Sequence, residues 1–370
     1  MQGIDRSLFF CFLGLTLFGL IMMSSMSVAG SFDVTGRNDY YFWRHFIYII
    51  LGIPIFFISL KFPHEYLKKL ALPIFLFALL LLVLVLIIGQ SFGTAAKSWL
   101  SVGGVISVQP TEIAKIATII FLSAIFSSPY WRADTFERGF VTFVVIAGLP
   151  VLLVMAQPDF GSILVLATAA SSIYFVAGAK LKHFIGGMGV AFLGFLIVVL
   201  TTPYIQKRVA VLLNPDLDPL GAGFQVKQAL IAIGSGGIFG RGFQNSIQKF
   251  DYLPEVQSDT IFAAISEEMG FFRIIALIGI YVFIAYRGFQ VAKNAPTTFS
   301  QLLATGLTVW IVGQAFINIG VNLAILPNTG ITLPLISYGG TSLWTAFVGF
   351  GILLHISSEC QQKGRKKHFY

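Results

Sequence analysis

Charged side chains make up only 11% of the 370 residues, and cysteine occurs twice, at Cys11 and Cys360. That little charge cannot solvate the surface of a globular domain, and with 56% hydrophobic residues and a mean hydropathy of +0.84 the composition excludes an ordinary soluble protein. Each of the two cysteines sits near a helix end on the basic side of the chain, and neither suggests a disulfide or a metal site. No internal repeat is visible, and there is none of the sustained two-residue alternation that a membrane β-barrel needs. The first apolar run is not expected to be a cleavable signal peptide, with only Arg6 ahead of it, offset by Asp5, and nine more runs following. The glycines of GSGGIFGRG (234–242) fit neither a Walker loop nor a dinucleotide fingerprint, for there is no Gly-Lys-Ser/Thr and no preceding strand.

What the chain has instead is ten apolar runs of bilayer-spanning length, at roughly 8–27, 45–60, 70–89, 111–127, 139–156, 160–178, 184–203, 270–287, 300–326 and 341–357. The expected fold is an all-α polytopic membrane protein, a single integral membrane domain over 1–370. Lys and Arg set its orientation. With both termini inside, Arg6, Lys61, Lys68, Lys69, Arg132, Arg138, Lys180, Lys182, Arg287, Lys293, Lys363, Arg365, Lys366 and Lys367 are cytoplasmic, whereas the short outer loops hold only Arg37, Arg44 and Lys97. The net charge of +8 reflects this bias plus a basic loop; contact with anionic membrane lipids is expected from it, and a nucleic-acid partner is not.

One connection is long. Residues 204–269, between the seventh and eighth runs, form an outer loop too extended to be structureless, so a folded substrate-handling element is expected there. Within it, 223–240 reads as an interfacial or re-entrant helix closed by glycines. Five of the chain's sixteen carboxylates (Asp251, Glu255, Asp259, Glu267 and Glu268) fall in the run DYLPEVQSDTIFAAISEEMG. Such a concentration at a membrane is costly unless it lines water or does chemistry. Pro254 cannot lie inside a helix, whereas Ser258 can cap one running through Ile265. Asp259 would then occupy the first turn, where the positive helix end favours its ionised form, a base ready at neutral pH. Helix capping alone is the competing explanation. Glu267 and Glu268 point in different directions, so at most one shares a face with Asp259; solvation or pairing with Arg273 explains them as well as catalysis does.

Four shorter motifs carry polar groups into the apolar segments. In Gln109-Pro110-Thr111-Glu112-Ile113-Ala114-Lys115, Glu112 and Lys115 lie one helical turn apart and can pair, although a lysine near the outer face could also take a phosphate. Asp159, in Gln157-Pro158-Asp159-Phe160-Gly161, sits at a tight turn. Asp216-Leu217-Asp218 resembles a metal-binding D-x-D, but the flanking Pro215 and Pro219 make a turn the simpler reading. In Leu333-Pro334-Leu335-Ile336-Ser337-Tyr338-Gly339-Gly340, Ser337 and Tyr338 have no His or Asp partner nearby. Together with Gly339 and Gly340 they read as a cavity wall.

QPTEIAK, QPDFG, RVAVLLNPDLDPLGAGFQ, LPEVQSD and LPLISYGG, in this order on ten apolar runs, closely resemble the SEDS family (shape, elongation, division and sporulation), which includes the peptidoglycan polymerases RodA and FtsW. Asp39-Tyr40-Tyr41-Phe42, the segment from Gln244 to Lys249, and Gly330-Ile331-Thr332-Leu333-Pro334 resemble the division type, FtsW. The resemblance implies an inverting glycosyltransferase that polymerises lipid II at the outer face of the bacterial inner membrane, in cell division or elongation. Its essential loop Asp falls on Asp259, its fourth-span Glu and Lys on Glu112 and Lys115, its turn Asp on Asp159 and its loop Arg on Arg208. Two departures stand out. Gln257-Ser258-Asp259-Thr260 replaces the usual His-Thr-Asp or His-Asn-Asp followed by Phe, and Ser98-Trp99 replaces Arg-Trp, with Lys97 as a substitute charge.

Under this reading Asp259 is the catalytic base, and Arg208, Lys115, Arg241 and Lys249 are candidates for the departing pyrophosphate. A divalent cation, Mg2+ or Mn2+, could share that work, though the sequence shows no convincing cage and no metal ligands are assigned. The implied partners are lipid II, a class B penicillin-binding protein transpeptidase and other division or elongation proteins. Two rival functions remain, a lipid II flippase and a non-catalytic divisome scaffold.

Overall fold

The computed structural model describes residues 3–35, 38–90, 98–102, 106–250 and 252–367. Asp251, Arg37 and Lys97 fall outside the described residues. Twelve α-helices follow one another along these segments: α1 (Arg6–Thr35), α2 (Tyr40–Lys61), α3 (His64–Ile88), α4 (Pro110–Phe126), α5 (Thr142–Met155), α6 (Phe160–Val176), α7 (Leu181–Thr201), α8 (Pro203–Leu213), α9 (Ala222–Ser235), α10 (Ile261–Lys293), α11 (Thr298–Asn322) and α12 (Gly340–Lys367). A π-helical turn, Phe136–Val141, leads into α5. Two strands of three residues, Leu100–Val102 and Ile106–Val108, pair antiparallel ahead of α4, a small β element that the all-α expectation did not include.

Each of the ten apolar runs falls on a helix. Among the described residues, seven spans, Arg6–Val28, Tyr40–Lys61, His64–Ile88, Phe136–Met155, Ile261–Lys293, Thr298–Asn322 and Gly340–Gln361, are long and apolar enough to cross a membrane. The chain is a multi-pass membrane protein, and with no water in a bilayer core its backbone groups must pair within each segment, as helices allow.

Helix starts follow local chemistry. Pro110 occupies the first position of α4, where its missing N–H costs nothing. Asp159 caps α6, its Oδ1 accepting from the Ser162 N–H at 3.0 Å, and Thr297 caps α11 through the Ser300 N–H at 3.1 Å.

Helix α11 lies at the centre, packed against α4, α6, α10 and α12. Close packing there uses small residues, as membrane interfaces do: a methyl group added at Gly306 would meet Ile173 Cδ1 at 2.6 Å, and one at Gly349 would meet the Trp310 ring at 2.8 Å. Because α11 is enclosed on most sides, any polar side chain on it must find a partner inside the protein.

The long 204–269 connection carries helices of its own. It contains α8, α9 and a segment that runs back against α10. Helix α10 is broken at Gly270 (φ 75°, ψ 176°), so its first part, up to Met269, belongs to the loop and the rest to the span that follows. Across this break the Arg241 and Gly242 amides donate to the Glu267 and Glu268 carbonyls at 2.9 and 3.0 Å, and the Phe271 amide donates to Gly237 O at 2.9 Å. The two backbones approach so closely that a Cβ at Gly270 would lie 2.1 Å from the Gly240 nitrogen. That contact explains the glycine-rich 234–242 stretch: it is a backbone docking strip rather than a phosphate loop. The helix expected over 223–240 ends at Ser235 for the same reason.

Candidate active site

Asp259 stands immediately before α10, at the junction of the loop with the membrane domain. The cap of α10 is Thr260 rather than Ser258, so Asp259 lies outside the first turn and not within it. Its surroundings correct the expected electrostatics. Asp259 retains only partial exposure, and desolvation, reinforced by the nearby Glu255 carboxylate, pushes its carboxyl up from 3.8 to about 7. A hydrogen bond from Gln225 and the charge of Arg208 act in the opposite direction, favouring the carboxylate. Burial wins over dipole placement.

The aspartate is held by amides. Asn318 and Asn322 of α11 each donate from Nδ2 to the Asp259 carbonyl oxygen at 2.9 Å, and Gln225 Nε2 of α9 lies 3.4 Å from Asp259 Oδ2. Gln225 is fixed in turn by Asn328, whose Nδ2 donates to its Oε1 at 2.6 Å, and Arg208 of α8 donates to the Asn328 carbonyl. A polar chain Arg208–Asn328–Gln225–Asp259 thus ties three loop elements together. Oδ1 of Asp259 is buried and has no hydrogen-bond partner among the described residues. An acceptor left open at the end of an otherwise satisfied network is the feature expected of a base awaiting a substrate proton.

The other predicted residues separate into distinct networks. Lys115 Nζ donates at 2.8 Å to Glu112 Oε1 and to Gln314 Oε1, and this ion pair is nearly sealed from solvent. Gln314 also donates to the Thr332 carbonyl at 3.2 Å. Asn318 donates to the Ile331 carbonyl at 2.7 Å. Gln314, Asn318 and Asn322 recur every four residues on one face of α11, so a single stripe of amides joins the Glu112–Lys115 pair to Asp259 through residues 331–332. Asp159 caps α6 and lies 3.5 Å from Gln109 Nε2.

Glu267 and Glu268 are neither solvated nor paired with Arg273, which instead donates to the Phe239 and Met269 carbonyls at 2.7 and 3.0 Å. Glu267 accepts from Ser246 Oγ (2.5 Å) and from the Ile247 and Gln248 amides (3.1 and 3.2 Å), with Arg241 at 3.5 Å. Glu268 Oε1 takes Lys249 Nζ at 3.0 Å and Ser25 Oγ at 2.6 Å, and the lysine is buried. These acids pin the loop to the broken helix and to α1. Asp216 pairs with Lys227; Asp218 pairs with Lys207 at 3.0 Å and accepts from the Ala222 amide at 2.8 Å at the start of α9. The D-x-D thus serves as a turn and cap.

Residues 333–340 pack on protein. Ser337 Oγ accepts from the Leu333 amide at 2.7 Å, Tyr338 meets Tyr41 edge-on at 5.0 Å, and its amide donates to Gln257 O at 2.8 Å. A Cβ at Gly340 would press on the Tyr48 ring at 3.0 Å, while one at Gly339 would touch Thr332 at 3.4 Å.

Gln225, Asn318, Asn322 and Asn328 were not anticipated from sequence. The signal was there for two of them: polar amides four apart within an apolar run have to be satisfied internally.

A family model described as cell cycle protein, of the FtsW, RodA and SpoVE type, matches residues 5–362. The chain belongs to this family. It is 38% identical over 364 residues to the probable peptidoglycan glycosyltransferase FtsW of Haemophilus influenzae, covering 97% of this chain and 92% of that one. It is also 38% identical over 343 residues to the stage V sporulation protein E of Bacillus subtilis, covering 92% and 93%. Among solved structures, a chain from work on the structural coordination of polymerization and crosslinking by a peptidoglycan synthase complex superposes with a TM-score of 0.81 at 26% identity, covering 98% of this chain and all of that one. The rod shape determining protein RodA of Thermus thermophilus shares the fold, with a TM-score of 0.71 at 24% identity over 96% of this chain and 97% of that one.

Proposed function

We propose that this protein is a peptidoglycan glycosyltransferase acting in cell division, which polymerises lipid II at the outer face of the cytoplasmic membrane with Asp259 as general base. The observation that carries the reading is the Asp259 carboxylate itself: raised to about 7, anchored through its backbone by two asparagines, and open at Oδ1. Family membership and near full-length relatives named as glycosyltransferases support the same activity.

In the proposed reaction Asp259 takes the proton of the acceptor sugar's 4-hydroxyl as that oxygen attacks the anomeric carbon of the donor. The bond from that carbon to the phosphate oxygen breaks with inversion, and the electron pair leaves on the lipid pyrophosphate. A base with a pKa near the working pH combines a useful ionised fraction with proton affinity. Arg208, whose charge already reaches Asp259, is the leading cation for the leaving group. Arg241 is the next candidate, since it keeps partial exposure. Lys115 and Lys249 are neutralised by buried glutamates and belong to the frame that positions the loop. Were a divalent cation to share this work, Asp259 would be the residue to hold it, and it would offset the pyrophosphate charge.

The orientation that accompanies this function has ten crossings, both termini in the cytoplasm and the 204–269 loop outside, as the Lys and Arg distribution requires. The polyprenyl tail would lie between helices and the sugars in the wet outer region. A single-pass class B penicillin-binding protein is the proposed partner.

A lipid II transporter is the second reading, favoured by the break in α10 at Gly270 and by two buried ion pairs. One experiment separates the readings: purified protein with its transpeptidase partner, labelled lipid II, and Asp259→Asn. Glycan chains from the wild type and none from the variant support the polymerase. Lipid crossing vesicles without polymer from either protein favours transport, and neither activity favours a scaffold.

A further inference from the structure

The end of the molecule away from Asp259 carries a second cluster. His64 opens α3, while His355 and Glu359 lie one turn apart on α12. Tyr338, just ahead of α12, touches the Asp259 loop, and the fifteen residues from Gly340 to His355 advance about 22 Å along the helix at ~1.5 Å per residue. The two sites are therefore separated by about 22 Å along α12.

The three side chains converge. One ligand atom from each lies within 4.8 Å of the others. His64 Nδ1 is 2.7 Å from Glu359 Oε1, and His355 Nε2 is 3.4 Å from the same oxygen. His355 Nδ1 faces the Leu60 carbonyl at 2.9 Å. A carbonyl can only accept, so Nδ1 carries a hydrogen, and Nε2 is the ring atom turned toward the carboxylate. His355 Nε2 and Glu359 Oε2 are both buried and without a hydrogen-bond partner among the described residues. The His64 ring is held by stacking near Phe299, at 6.3 Å and 23°.

We propose that His64, His355 and Glu359 bind a divalent transition metal ion of the Zn2+ class. Two imidazoles and one carboxylate are a ligand set for such an ion, with water completing the coordination. The Leu60 carbonyl is the outer partner that fixes the His355 ring with Nε2 toward the metal, as ligating histidines usually require. A cation at this point would give His355 Nε2 and the Glu359 carboxylate a shared partner. It would also fasten the turn between α2 and α3 to the end of α12, two parts of the chain almost three hundred residues apart. Each side chain keeps some exposure (12% for His64, 23% for Glu359), so an ion can enter from water.

The test uses tag-free, full-length protein in detergent, stripped with a chelator and titrated calorimetrically with ZnCl2, with CoCl2 absorption as a second probe. One saturable equivalent is expected, accompanied by a higher melting temperature, and His355→Gln and Glu359→Gln should each weaken binding at least tenfold. Should His355→Gln fail to fold, Glu359→Gln and His64→Gln decide the question, with metal-free melting curves as the control for folding. No saturable equivalent in the wild type would overturn the proposal and leave a metal-free ionic contact. Binding that is unchanged in the well-folded variants would overturn it too.

Discussion

The side-chain amide of Asn318 donates at 2.9 Å to the backbone carbonyl of Asp259 and at 2.7 Å to that of Ile331. One buried group thus fixes both the candidate base and the chain break that precedes α12. Asn318→Leu keeps the volume but strands the buried Ile331 carbonyl and leaves the Asp259 carbonyl to Asn322 alone, at a cost of about 1–3 kcal/mol. A lower melting temperature and a loss of polymer yield of tenfold or more are expected, with Asn322→Leu milder because Asn318 still holds Asp259.

The polar chain from Arg208 to Asp259 predicts graded losses. Asn328→Ala removes the support of Gln225 without touching the aspartate. Polymerisation should fall by several-fold, less than for Gln225→Leu, which removes the amide that favours the carboxylate. Initial rates with labelled lipid II at one pH check the order.

Lys249 and Glu268 distinguish frame from site. Removing one member of a buried pair leaves an uncompensated charge and costs about 3–5 kcal/mol, whereas replacing both with apolar groups is often near neutral. Lys249→Met should therefore melt early, and Lys249→Met with Glu268→Leu should recover most of that stability. Polymer synthesis should return with it. A stable double variant with no activity would restore Lys249 as a group that acts on the pyrophosphate.

Asp259 also contributes to stability with a defined sign. Its carboxyl is raised in the folded protein, so the favourable contribution of the protonated form is complete below the ordinary value of 3.8 and is lost as pH rises through about 7. Asp259→Asn, which stays neutral, should be more stable than the wild type at pH 8 and close to it at pH 4. Each unit of pKa is worth about 1.4 kcal/mol, so the difference at pH 8 is on the order of a few kcal/mol. Thermal melts at the two pH values measure it.

Much of this architecture was legible in the sequence because bilayer constraints are severe. Apolar runs had to be helices, and all ten fall on one. The acidic loop stood out for the same reason, and Asp259 with it. What could not be read was tertiary. Thr260 rather than Ser258 takes the N-cap position of α10, without a side-chain cap bond, while Ser258 turns its hydroxyl to Glu255. The electrostatics of Asp259 depend on Gln225, Glu255 and Arg208, which no local pattern ranks. Glu267 and Glu268 looked like candidates for solvent until the glycine strip folded back over them. The amide stripe of α11 was visible as a spacing, but its partners lie on loops that only the fold brings near.

The most direct test of Asp259 as base is the pH dependence of kcat/KM for glycan polymerisation, measured on the wild type, Glu255→Gln and Arg208→Gln. An acid limb near pH 7 is predicted. It should move to lower pH when the Glu255 charge is removed and to higher pH when the Arg208 charge is lost. A limb that stays in place in both variants, or a rate that remains flat from pH 5 to 8, would contradict the account.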